Sequence, residues 1–138
     1  VMPTVFTRIM NGELPGRFVW EDDRCTAFLS IAPLAPGHVL VVPRDEIDHW
    51  IDAPDDLLAH LFTVARRLGR ALERAFAPEK VGMMIAGLEV PHLHVHLVPI
   101  NSVHDLDFAN ADPSASAAAL DDAASRISDA LEAGDVPE

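Results

Sequence analysis

One cysteine, Cys25, in 138 residues rules out an internal disulfide and a CxxC metal site. A lone thiol fits a reducing cytosol. The opening VMPTVFTRIM has no basic flank leading into an apolar stretch, so no secretory signal is expected and a cytoplasmic setting is. Hydrophobic residues make up 49%, yet no apolar run approaches the ~18 to 20 residues that a membrane helix requires. Basic residues are also scarce, with Lys plus Arg at 10 against 22 acids for a net charge of -12. Binding to DNA or RNA is driven largely by neutralising phosphates, so polymeric nucleic acid is a poor partner for this chain. A single small nucleotide is not excluded, because a site can be locally favourable on an acidic protein. Many of the acids fall within residues 105–138, where Arg126 is the only base, and read as solvated surface.

The length suits one domain able to bury a core. Thr4 before Phe6, Ile9 and Met10, with Asn11-Gly12 after them, predicts a short capped helix. Residues 18–21 and 25–30 read as a hairpin around Asp22-Asp23-Arg24. Two prolines and a glycine make 31–37 a loop, and 38–42 is a buried strand that Pro43 ends. A long helix begins near Pro54, taken as its first residue, and stops before Pro78. Its apolar positions, from Leu57 through Leu61, Val64, Leu68 and Leu72, recur at three- and four-residue steps. Arg66, Arg67, Arg70 and Arg74 lie mostly off that stripe as a solvated face. Strands follow at 81–86 and 92–100, then a polar spacer at 110–116, a helix over about 117–133 and a ragged acidic end. The order predicts an α+β fold with a mostly antiparallel sheet of about five strands, a long helix, and short N-terminal and C-terminal helices. Residues 1–108 form the expected domain, and 109–138 an acidic, alanine-rich, helical extension packed on or beside it.

The chemistry concentrates in Pro91-His92-Leu93-His94-Val95-His96-Leu97-Val98-Pro99. Strict alternation on a strand sends Leu93, Val95 and Leu97 to one face and three imidazoles to the other. Exposed polar decoration explains one such histidine easily and three poorly. A metal site is one reading. On a straight strand the outer histidines stand about 13.6 Å apart at Cα. With Zn–N near 2.1 Å they could share an ion only with a bulge or an outside ligand such as Glu46 or His49. Nucleophilic catalysis is the other reading. A neutral imidazole attacks phosphorus when one nitrogen is free and the other is held protonated by an acceptor, for which a backbone carbonyl suffices.

The run His92 to Val98 resembles the His-φ-His-φ-His-φ-φ signature of the histidine triad superfamily. The segment Pro33-Leu34-Ala35-Pro36-Gly37-His38-Val39-Leu40-Val41-Val42-Pro43 is similar to that family's Pro-x-x-Pro-Gly-His-x-Leu-Val-x-Pro stretch. The opening Val5-Phe6-Thr7-Arg8-Ile9-Met10-Asn11-Gly12-Glu13-Leu14-Pro15 is similar to its first helix, and Glu89-Val90-Pro91 to one branch. The likeness spans about residues 4–100. It implies a homodimer that binds a purine nucleotide and cleaves or transfers at the α-phosphate. It implies His94 as nucleophile, forming a transient nucleotidyl-histidine, His96 on the α-phosphate or leaving group, and His92 in support. Ile31, Ser30, Glu89 and His38 fall at nucleotide-binding positions, with His38 more structural than reactive. No cofactor is implied, and the cysteines of the zinc-binding members are absent, so no structural metal is expected. The departures are Ser30 for an aspartate that meets the ribose, Glu46 for a histidine, and Ala86 and Leu88 for an asparagine and a glutamine. Losing an amide donor near phosphate costs a few kcal/mol, or about 10²- to 10³-fold in rate. A weakened binding or interaction protein is therefore the alternative, and a metal-dependent hydrolase the third.

Overall fold

The structure is a computed structural model and describes residues 2–134; the acidic end at 135–138 lies outside them. The expected α+β architecture is present. Helix α1 (Val5–Met10) is capped by Thr4, whose Oγ1 accepts the N–H of Thr7 at 3.2 Å. Strands β1 (Phe18–Glu21), β2 (Cys25–Leu29) and β3 (Val39–Pro43) follow, then the long helix α2 (Asp55–Phe76). Strands β4 (Lys80–Met84) and β5 (Val95–Ile100) and helix α3 (Ala117–Gly134) complete the chain. The five strands form one antiparallel sheet in the order β1-β2-β3-β5-β4.

The period-2 pattern splits the sheet into two working faces. Cys25, Ala27, Leu29, Val39, Val41, Val95 and Leu97 lie on one face and pack against the helices. There they meet the α2 stripe of Leu57, Leu61, Val64, Leu68 and Leu72. Each leucine fully buried in this layer contributes about 1.5–3 kcal/mol. Helix α3 lays Leu120, Ala123, Ile127 and Ala130 onto the same core. Arg126 closes the α2–α3 seam, with its guanidinium 4.6 Å from the Phe76 ring and Nη2 donating to the Ala75 carbonyl at 2.6 Å. The opposite face carries a smaller cluster of Phe28, Leu40 and Val42 under Phe6 of α1.

Several boundaries move. Pro54 is the cap of α2 rather than its first residue, in extended conformation. Pro43 belongs to β3, paired with Cys25. Ala77 ends α2 in the left-handed region at φ 48°, and Pro78 then cannot continue the helix. Strand β4 stops at Met84 rather than Ala86. Among the described residues, no helix is long and apolar enough to cross a membrane.

Candidate active site

Strand β5 begins at Val95, so of the three alternating histidines only His96 stands in the ladder. The strand expected from His92 is thus three residues shorter at its start. Its neighbour β3 runs out at Pro43, which has no N–H to offer. The Pro43 carbonyl is taken instead by Nε2 of His92 at 2.7 Å. The Leu93 amide turns away and donates to the Ile47 carbonyl at 2.6 Å. The alternation survives this departure. Leu93, Val95 and Leu97 enter the helix-side core, while the histidine rings gather on the α1 side.

Neighbouring backbone groups fix which ring nitrogen holds each proton. A carbonyl only accepts, so His92 Nε2 is protonated and its Nδ1 takes the Thr4 hydroxyl at 2.6 Å. Nδ1 of His94 lies 2.8 Å from the His92 carbonyl and donates to it, leaving Nε2 with a free lone pair. The Leu34 amide donates to His38 Nδ1 at 3.0 Å, so His38 bears its proton on Nε2. That nitrogen donates to Nδ1 of His96 at 2.9 Å, which puts the His96 proton on its own Nε2. His94 and His96 therefore carry opposite tautomers. One ends in a lone pair and the other in an N–H, with ring centroids 4.8 Å apart.

Burial favours the neutral form of His96, His38 and His92. Desolvation, then the charges of His38 and His94, pushes His96 down to about 3. Desolvation, followed by His94, brings His38 down to about 4. His92 is also lowered, mainly by burial, with the Pro43 hydrogen bond and nearby Glu46 opposing. Phe6 meets His94 edge-to-face at 4.9 Å, and Phe108 meets His96 at 5.2 Å, clamping both rings.

In front of His94 and His96 opens a cleft of about 530 Å³, within the range of small-ligand sites. Phe6, Ile9, Phe28 and Leu40 give it an apolar wall. Ser30, Ile31 and Glu89 border it, and Ile31 is 75% exposed there. Five of the seven residues singled out from the sequence thus meet in one cavity. The other two stand behind it, with His38 against His96 and His92 beneath His94. Glu46 and His49 bring no third ligand to the triad. Glu46 instead accepts from the Thr4 amide at 2.8 Å and the Thr7 hydroxyl at 2.6 Å, tying down the start of α1. The Thr4–His92 contact spans 88 positions and Phe108 follows the triad by 12, so no local spacing announces either.

Residues 11–103 match the HIT domain family. The chain belongs to the HIT family. This HIT protein is 33% identical over 99 residues to a HIT-like protein of Methanocaldococcus jannaschii, covering 69% of this chain and 77% of the relative. Its fold matches a hypothetical histidine triad nucleotide-binding protein of Sulfolobus tokodaii with a TM-score of 0.82 at 26% identity, over 93% and 91% of the two chains. It also matches a HIT family hydrolase of Legionella pneumophila with a TM-score of 0.60 at 30% identity, over 70% of this chain and 91% of that one.

Proposed function

We propose that this HIT protein hydrolyses or transfers the nucleotidyl group of a nucleoside phosphate derivative through a nucleotidyl-His94 intermediate. The observation that carries this reading is the pair of opposite tautomers at the cleft. Nε2 of His94 forms a bond to the α-phosphorus as the bond to the leaving group breaks. The His94 ring then carries a positive charge, which the His92 carbonyl stabilises through Nδ1–H. Nε2–H of His96 donates to a non-bridging α-phosphate oxygen and keeps its proton, since a neutral imidazole is too weak an acid to surrender it. The departing group takes its proton from solvent. Attack of water, or of another acceptor, on phosphorus releases the nucleotide and restores His94. A purine base fits the apolar wall of Phe6, Ile9 and Phe28, with Ile31 against it and Ser30 and Glu89 near the sugar. The likeness to the hypothetical nucleotide-binding protein of Sulfolobus and the HIT family hydrolase of Legionella supports the same reading.

Homodimerisation fits the edge strand β4, where Met83 is 45% exposed beside Phe62 of α2 at 41%, a surface a second copy would cover. Metal-dependent chemistry at the triad is not supported by the geometry. Both His92 nitrogens, Nδ1 of His94 and Nδ1 of His96 are already engaged. A second reading, a binding protein with slow turnover, is favoured by one observation. Arg17, the cation bordering the cleft, is tied to Asp121 at 2.7 Å, so few donors face a phosphate. The test is a panel of adenosine and guanosine phosphoramidates, dinucleoside polyphosphates and nucleoside diphosphates, with and without chelator, on the protein and His94→Ala. Turnover that ignores chelator and disappears with His94 supports the enzyme. Tight binding without turnover supports the second reading.

A further inference from the structure

On the helix-covered face of the sheet, away from the histidine cleft, Asp22, Cys25 and His60 converge. Their ligand atoms lie within 4.8 Å of one another, and among the described residues no other group of three His, Cys, Asp or Glu side chains is so placed. We propose that these three residues form a site for a thiophilic divalent cation such as Zn²⁺, built from a turn and a helix and independent of the triad chemistry. The proposal departs from the expectation of no structural metal.

The site is preorganised by its backbone. Oδ1 of Asp22 accepts the amides of Arg24 at 2.8 Å and Cys25 at 2.9 Å, which locks the turn between β1 and β2. That lock turns Oδ2 toward the other two groups. It receives His60 Nε2 at 2.8 Å and the Cys25 thiol at 3.5 Å. The Asp-x-x-Cys spacing sets carboxylate and sulfur on one turn, and α2 delivers the imidazole from 38 positions away. The His60 and Cys25 hydrogens aimed at Oδ2 occupy the space where a cation would sit between three lone pairs. Carboxylate, thiolate and imidazole are the donor set that Zn²⁺ takes at about 2.0–2.3 Å.

Loading is a balanced exchange. The thiol proton leaves to solvent, the Nε2 proton of His60 returns on Nδ1, and the incoming charge of two meets one thiolate and one carboxylate. Without metal, burial, the Asp22 charge and the hydrogen bond to it push the thiol up to about 12, so the apo site holds Cys25 protonated. Arg24 and Arg44 lie near enough to favour the thiolate. The Trp20 indole N–H, 2.7 Å from Oδ2, is the outer partner that orients the carboxylate. Cys25 is fully buried, but the His60 and Asp22 side chains are 32% and 24% exposed, so an ion can enter and water can complete a tetrahedron.

Co²⁺ titration of the full chain under reducing conditions tests the site. The expected result is a thiolate-to-cobalt charge-transfer band that saturates at one equivalent and is erased by Zn²⁺. Cys25→Ser should remove the band, and His60→Ala, at a part-exposed position, should weaken binding about tenfold or more. His94→Ala should leave both unchanged. Absence of a sulfur band at saturating Co²⁺, unchanged affinity in His60→Ala, or loss of the band in His94→Ala overturns the proposal.

Discussion

Mild acid should unfold this protein through its buried histidines. His38 and His96 bind protons at an ordinary pKa of 6.5 when exposed, but only near 4 and 3 in the folded chain. Below pH 6.5 the unfolded state therefore holds protons that the native state refuses, and stability falls as pH falls. Their contribution is fully present above the unfolded pKa. With both groups differing, the slope grows toward two protons as pH drops below 6.5, on the order of 3 kcal/mol per pH unit at most. From pH 6.5 to 4.5 the loss is about 4 kcal/mol, a large part of the stability of a marginal domain. His92, also lowered, steepens the slope. Urea midpoints measured at half-unit steps from pH 7.5 to 4.5, with the m-value constant, read it directly. His38→Gln should lessen the slope by about one proton. A flat profile between pH 6.5 and 5, or a variant as steep as the parent, would refute the neutral-histidine account.

Other expectations follow from single contacts. Thr4→Val removes both the α1 cap and the hydroxyl on His92; it should lower stability by about 1 kcal/mol in denaturant titrations and reduce turnover. Ile127→Ala, at a fully buried position of α3, should lose about 2–5 kcal/mol by thermal or urea unfolding, while His94 chemistry in the folded fraction stays intact. Ile31→Ala, on the cleft's exposed border, should raise KM several-fold in steady-state kinetics with little change in kcat or stability.

The sheet and long helix were legible because β2 and β3 are short apolar runs bounded by turn residues or proline, while α2 repeats its apolar residues at three- and four-residue steps. The two-residue alternation from His92 to Leu97 placed His94 and His96 on one face. What the sequence did not reveal lies in contacts between distant positions. His92 leaves the ladder because Pro43 has no amide and its carbonyl is taken by the ring. The tautomer of His96 is set by Leu34 through His38, four and then 58 positions away. Nothing in the strand of Cys25 or the helix of His60 shows in the sequence that Asp22 joins them. Glu46 looked like a lost histidine, yet it holds the two threonines at the start of α1.

Rapid mixing with a nucleoside phosphoramidate carrying a label on the α-phosphate, followed by quenching in base and peptide mapping, tests the nucleophile most directly. The label is expected on His94, in an adduct stable to base and cleaved by acid, and absent from His94→Ala. Label on another residue, or full turnover by His94→Ala, would contradict the account.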